Sequence, residues 1–275
     1  MSTLSRLLDL FAPPRCIGCE TTVAPDEGPL CRRCLQHLPW WRKVDGCPRC
    51  GVALHSRTDH WHGRPDNIAC EGCPTCLLDG TALHACYTLT RYEGPLRHWI
   101  PGFKNARSPF GPAVQIRLAI DHLAVLLAHR VARQTRQRPN LIVSIPLHPR
   151  RRRHRGFNHV DPIAQRVAEI LSIPHATDAL ERLKDTPPQA GLTGPARRKN
   201  IRGAFRIASD LGPATRVWLI DDVLTTGSTL EAADDALLEK GCREVRALTI
   251  AATLPARRKR PASQRVMAGS LSRFS

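Results

Sequence analysis

The stretch VWLIDDVLTTGSTLEAADDALLEKG, Val217 to Gly241, decides the fold. An apolar run that reads as a buried strand ends at Ile220 and leads into the adjacent acids Asp221 and Asp222. A Thr/Gly/Ser turn and a helical segment, about Thr229 to Lys240, complete it. In TTGST, Thr225 to Thr229, backbone N–H groups and hydroxyls turn inward to cradle one phosphate, favoured by the dipole of the following helix. Ser228 and Glu231 also fit a capping box. A carboxylate repels phosphate, so Asp221 and Asp222 need a ligand that also offers hydrogen-bond donors. A ribose 5-phosphate does so: its hydroxyls suit the acids and its phosphate suits the loop.

The neighbouring segments repeat the strand and helix signals. HACYTLTRYEG (84–94) alternates as a strand, and PLRHWIPGFK places Leu96, Trp99 or Ile100, and Phe103 on one helical face. A longer helix is expected over about Ala113 to Arg133, with Leu118, Leu123, Leu126 and Leu127 buried. LIVSIP, Leu141 to Pro146, has the composition of a buried parallel strand, and DPIAQRVAEIL supplies a helix with Ile163, Val167, Ile170 and Leu171 along one stripe. EVRALTIA closes the sheet. Strands alternating with helices predict a doubly wound α/β domain. Asp185 to Arg206, rich in Pro, Gly and Arg, reads as a long mobile loop.

Nine of the eleven cysteines lie between Cys16 and Cys76, as CIGC, CRRC, CPRCG and CEGCPTC. A two-residue gap lets both thiolates of a knuckle reach one ion, and two knuckles complete a tetrahedral site. Cys16, Cys19, Cys31 and Cys34 form one expected zinc site, and Cys47, Cys50, Cys73 and Cys76 a second. Cys70, His60 and His62 are also within reach of the second, and Cys73 pairs with Cys70 or Cys76, the latter preferred. Neither set has the mixed ligands and open position of a catalytic zinc, so both read as structural. The paired spacing has no need of disulfides.

The chain has 275 residues, a formal net charge of +17 and a pI near 10.2. Residues 1–83 hold nine Lys/Arg against nine Asp/Glu, so the whole excess lies beyond them. It concentrates in RRRRHR (Arg150 to Arg155), ARRKNIRGAFRI (Ala196 to Ile207) and the tail from Pro255 to Ser275, which reads as disordered. Phosphate-bearing partners will accumulate around such a surface. No apolar stretch reaches the roughly 20 residues of a membrane span. Asp9 spoils a signal peptide, and Leu4, Leu7, Leu8 and Phe11 fall at helical spacing, so the expectation is a short amphipathic helix and a cytoplasmic chain without membrane insertion.

VWLIDDVLTTGSTL resembles the phosphoribosyl-pyrophosphate (PRPP) motif of type I phosphoribosyltransferases. The double cysteine ribbon, YEGPLRHWIPGFK, IPLHPRRRRHRGFN, DTPPQAGLTGPARRKNIRGAF and that motif together resemble the ComF family, associated with DNA uptake in natural competence. The resemblance spans about Leu4 to Ala252. It implies a type I phosphoribosyltransferase fold, a parallel sheet flanked by helices, over 84–254, preceded by the zinc ribbons in 1–83 and followed by the 255–275 tail.

By the same resemblance, Asp221 and Asp222 hold the ribose hydroxyls, and Thr225, Thr226, Gly227, Ser228 and Thr229 bind the 5'-phosphate of magnesium-chelated PRPP. Lys104, Arg155, Arg197, Arg198 and Lys199 supply positive charge for pyrophosphate. One departure is visible: the family usually reads RGFNQ, and here His159 replaces the amide, which it can imitate as donor and acceptor. No segment advertises a nucleobase pocket, so no catalytic residue is assigned. The implied function is handling of incoming single-stranded DNA beside a helicase-like partner, with Phe157 and Trp218 as candidate stacking residues that read equally as core. The alternatives are a nucleobase phosphoribosyltransferase of nucleotide salvage and a PRPP-sensing regulatory or scaffold protein.

Overall fold

A computed structural model describes residues 14–24, 27–42, 46–47, 51, 85–106, 112–135, 137–185 and 203–254. The expected N-terminal helix, Cys50, His60, His62, Cys70, Cys73, Cys76, Arg197, Arg198, Lys199 and the tail lie outside the described residues.

Within them the elements run α1 (Arg32–Gln36), β1 (Ala85–Arg91), α2 (Leu96–Lys104), α3 (Pro112–Gln134), β2 (Leu141–Ser144), α4 (Pro149–Arg155) and α5 (Val160–Leu171). Then follow β3 (His175–Ala176), β4 (Leu180–Arg182), β5 (Phe205–Ile207), β6 (Arg216–Leu224), α6 (Ser228–Glu239) and β7 (Glu244–Ala252). Five strands form one sheet in the order β1-β7-β6-β2-β3, with every neighbouring pair parallel. β4 and β5 form a separate antiparallel pair.

Burial explains the choice of elements. Every residue of β7 is buried, as expected of a central strand covered on both faces. In β6 the side chains alternate: Trp218 and Ile220 join a cluster with α2, α3 and α5, while Val217 and Leu219 join one with α6, β4 and β5. On α2, Leu96, Trp99, Ile100 and Phe103 recur at helical spacing and are all buried. The stripe on α5 is Val160, Ile163, Val167 and Leu171, whereas Ile170, expected on it, is only half-buried.

Three expectations are corrected. Leu118 is 47% exposed, because the α3 stripe is set by Ile120, Leu123, Leu127 and Val131, and Leu118 points off it. Trp218 is core, 2% exposed, and unavailable for stacking. The far end of the expected 185–206 loop is strand: Phe205 and Arg206 pair with Arg182 and Glu181.

The N-terminal segment packs directly on the sheet edge. Trp40 bridges Thr90 antiparallel, Trp41 N donates to Leu89 O at 2.9 Å, and Arg91 N donates to Pro39 O at 2.6 Å. Arg130 of α3 fastens the junction by donating to Leu89 O and Trp41 O. Cys16, Val23, Leu30 and Leu38 share one core with Leu89, Leu96 and Trp99.

Candidate functional site

The sheet order creates a crevice. From β2 the chain proceeds to β3 on one side, and from β6 it proceeds to β7 on the other, so the connections leaving these adjacent strands diverge. Ligands of open α/β sheets bind at such a switch point, beyond the carboxyl ends of the strands. The end of β6 and the turn leading into α4 therefore face one opening.

The loop after β6 leaves backbone N–H groups free of backbone acceptors, a geometry that can receive an anion. Gly227 adopts φ 81°, a left-handed conformation that costs a side-chain-bearing residue strain, and it caps α6 through its carbonyl, which accepts from Glu231 N at 2.9 Å. Among the described residues, no backbone carbonyl accepts from the N–H groups of Thr225, Thr226 or Gly227. The first N–H groups of α6 lack helical partners by geometry. The hydroxyls of Thr226 and Ser228 meet at 3.0 Å. The capping box is not formed: Ser228 is the first helical residue, and the cap position belongs to Gly227.

The two acids are unequal. β6 continues past Ile220 to Leu224, so Asp221 and Asp222 lie inside the strand and leave it on opposite faces. Asp222 meets Lys104 Nζ at 2.6 Å and His159 Nε2 at 3.4 Å, both through Oδ2. Burial alone would raise its pKa, but the His159 ring and the Lys104 ammonium outweigh burial and hold it well below the usual carboxylate range. Asp221 curls back to accept from Asp222 N at 2.8 Å. Burial, reinforced by repulsion from Asp222, pushes its pKa up to about 8.

His159 is the residue whose role the sequence left open. It is 4% exposed, and its Nδ1 lies 3.0 Å from Arg155 Nη1. A guanidinium only donates, so in the neutral ring Nδ1 accepts and the proton sits on Nε2, facing Asp222. Arg155, His159, Asp222 and Lys104 thus form one chain. Arg155 is partly desolvated, which lowers its pKa, while Asp222 opposes the shift. The turn carrying these residues is tied to β2: Asn158 Nδ2 donates to Ile145 O and to Asp161, and Ser144 Oγ donates to the same carboxylate. The signal for this network was the amide usual at position 159.

The structure brings Asp221, Asp222, Thr225, Thr226, Gly227, Ser228, Thr229, Lys104 and Arg155 to the same edge of the sheet. It also gathers Cys16, Cys19, Cys31 and Cys34, whose sulfurs all lie within 4.8 Å of one another. Cys16 Sγ accepts from the N–H groups of Gly18 and Cys31, and Cys31 Sγ from Cys34 N. Backbone donors aimed at sulfur stabilise thiolate, so this set fits a Zn(Cys)4 ion. Of the second set only Cys47, buried, falls among the described residues. No helix of the described residues is long and apolar enough to cross a membrane.

Residues 7–77 match the double zinc ribbon domain family. The chain is 30% identical over 235 residues to competence protein F of Haemophilus influenzae, covering 84% of this chain and 93% of that protein. It is 28% identical over 246 residues to the DNA utilization protein YhgH of Salmonella typhimurium, covering 89% of this chain and all of that one. Among solved structures, the glutamine PRPP amidotransferase of B. subtilis superposes with a TM-score of 0.36 at 18% identity, over 54% of this chain and 30% of that one. The fold and site define a zinc-ribbon protein with a parallel α/β domain. The chain belongs to the competence protein F (ComF) family.

Proposed function

We propose that this chain binds magnesium-chelated PRPP in the crevice between β2 and β6 and acts on single-stranded DNA during natural transformation. The observation that carries the reading is the convergence of Asp222, Lys104 and Arg155 beside a glycine-capped loop whose N–H groups have no backbone acceptor. The names of the relatives, competence protein F and DNA utilization protein, supply the DNA side, and a helicase-like partner belongs to the same reading.

In this reading the Thr225–Thr229 loop holds the 5'-phosphate and Asp221 and Asp222 accept from the ribose hydroxyls. The Lys104–Asp222 contact is then exchanged on binding, freeing the ammonium for pyrophosphate and the carboxylate for the sugar. Magnesium arrives with the ligand and neutralises pyrophosphate charge. His159 keeps Asp222 ionised while Lys104 moves away. Arg197, Arg198 and Lys199 add positive charge to the pyrophosphate side. Zinc at Cys16, Cys19, Cys31 and Cys34, and a second ion at Cys47, Cys50, Cys73 and Cys76, stabilise the 1–83 module against the 84–254 domain.

A thermal melt tests the ligand. PRPP with magnesium at about 100 times Kd stabilises by about 2.7 kcal/mol, a rise in Tm of roughly 5–10 °C for a domain of this size. Ribose or pyrophosphate alone should give much less. Equal shifts with pyrophosphate alone would reduce the site to an anion-binding loop.

A further inference from the structure

A cavity of about 560 Å3 opens beside the acid cluster, between α2, α3, α5 and the turn after α4. Its apolar walls include Phe103, Ile120, Phe157 and Ile163, and Arg117 and Arg155 stand among its lining. That volume and lining suit an aromatic ring, since small-molecule sites are mostly apolar clefts of about 300–1,000 Å3 with a few placed polar groups. Both guanidinia are anchored: Arg117 donates to Ala106 O at 3.2 Å and Arg155 points at His159. They offer donors to the carbonyl oxygens or unprotonated ring nitrogens of a base, and every base presents at least one such acceptor.

The cavity adjoins a positive track. α4 carries Arg150, Arg152 and Arg153 exposed to solvent, and Arg155 joins the track to the cavity wall. Seven helical residues span about 10 Å, longer than one phosphate group occupies. A single nucleotide would leave most of that charge unmatched, whereas a strand places successive phosphates along it. Base stacking with a backbone-tracking basic surface is the general mode of single-strand binding.

We propose that this cavity takes one unpaired base of a DNA single strand, stacked against Phe157, with the adjoining phosphates on α4. The inference rests on the DNA reading above and gives it a location distinct from the loop after β6.

The test is fluorescence anisotropy on the zinc-loaded full chain, using labelled oligothymidylate and an abasic strand of equal length. The abasic strand should bind the parent protein at least about fivefold more weakly. Phe157→Ala should weaken oligothymidylate by a similar factor without changing abasic affinity or salt slope. Arg152→Ala/Arg153→Ala should weaken both strands and flatten the salt slope by about 0.7 per lost contact. Equal affinity of the parent protein for both strands would overturn the cavity assignment and leave DNA binding intact. Thymidine monophosphate competing as well as the oligomer would overturn the strand in favour of a free nucleotide. Binding of neither strand would sink the DNA reading, and with it this one.

Discussion

Lys104 and Asp222 close an ion pair at 2.6 Å across the mouth of the crevice, with the acid 8% and the lysine 31% exposed. Under the proposed function these two groups serve opposite ends of one ligand, and here they pair with each other. Removing one partner strands the other: Lys104→Met should destabilise the fold by about 1–3 kcal/mol, below the loss for a fully buried pair because the ammonium is partly solvated. Adding Asp222→Asn to Lys104→Met should recover part of that loss in urea unfolding. Strictly additive losses would show that the pair is not coupled.

His159 stands here where an amide would, its Nδ1 facing the Arg155 guanidinium and its Nε2 lying 3.4 Å from Asp222. His159→Gln should therefore keep PRPP affinity within about threefold, whereas His159→Leu should lose tenfold or more, about the value of a hydrogen bond to a charged group. Equal PRPP affinity of the Gln and Leu variants would remove His159 from the site.

Asp221 supplies a pH signature of its own. Its folded pKa, raised by burial and by Asp222, means the native state holds a proton between about pH 4 and 8 that the unfolded chain has released. Stability from this group therefore falls as pH rises through that window, whereas Asp222, held low, contributes above the usual carboxylate pKa and loses its contribution in acid. Asp221→Asn should gain on the parent protein as pH rises, by at least about 2 °C in Tm between pH 5 and 8. A difference that stays constant with pH would place Asp221 in ordinary solvent.

Zinc removal should destabilise more than the ribbon. Val23, Leu30 and Leu38 share a core with Leu96 and Trp99, and Pro39 and Trp41 bond to β1. Cys16→Ser should lower bound zinc by one ion per chain and lower the main melting transition. An unchanged main transition after chelation would mean that the two parts fold independently.

The β6 strand, acids, loop and helix were legible because they are consecutive, and order along the chain is what a sequence displays. The turn chemistry was misread where Gly227, not Ser228, takes the cap, since a left-handed glycine and a capping serine compete for the same position. Lys104, His159 and Asp222 come from α2, the start of α5 and β6, and no local pattern predicts that they meet. Strand order, fixed by tertiary packing, set the crevice. Leu118 and Leu126 carried the same hydrophobic signal as Leu123 and Leu127, and only the axis of the α3 stripe separates them.

Calorimetric titration of PRPP with magnesium into the zinc-loaded protein, beside Asp221→Asn/Asp222→Asn, tests the central claim most directly. The parent protein should bind saturably, and the double variant should bind at least tenfold more weakly, since losing the charge-assisted hydrogen bonding of Asp222 alone costs about 1.5–3 kcal/mol. No binding by the parent, or equal binding by both proteins, would contradict a PRPP site at the end of β6.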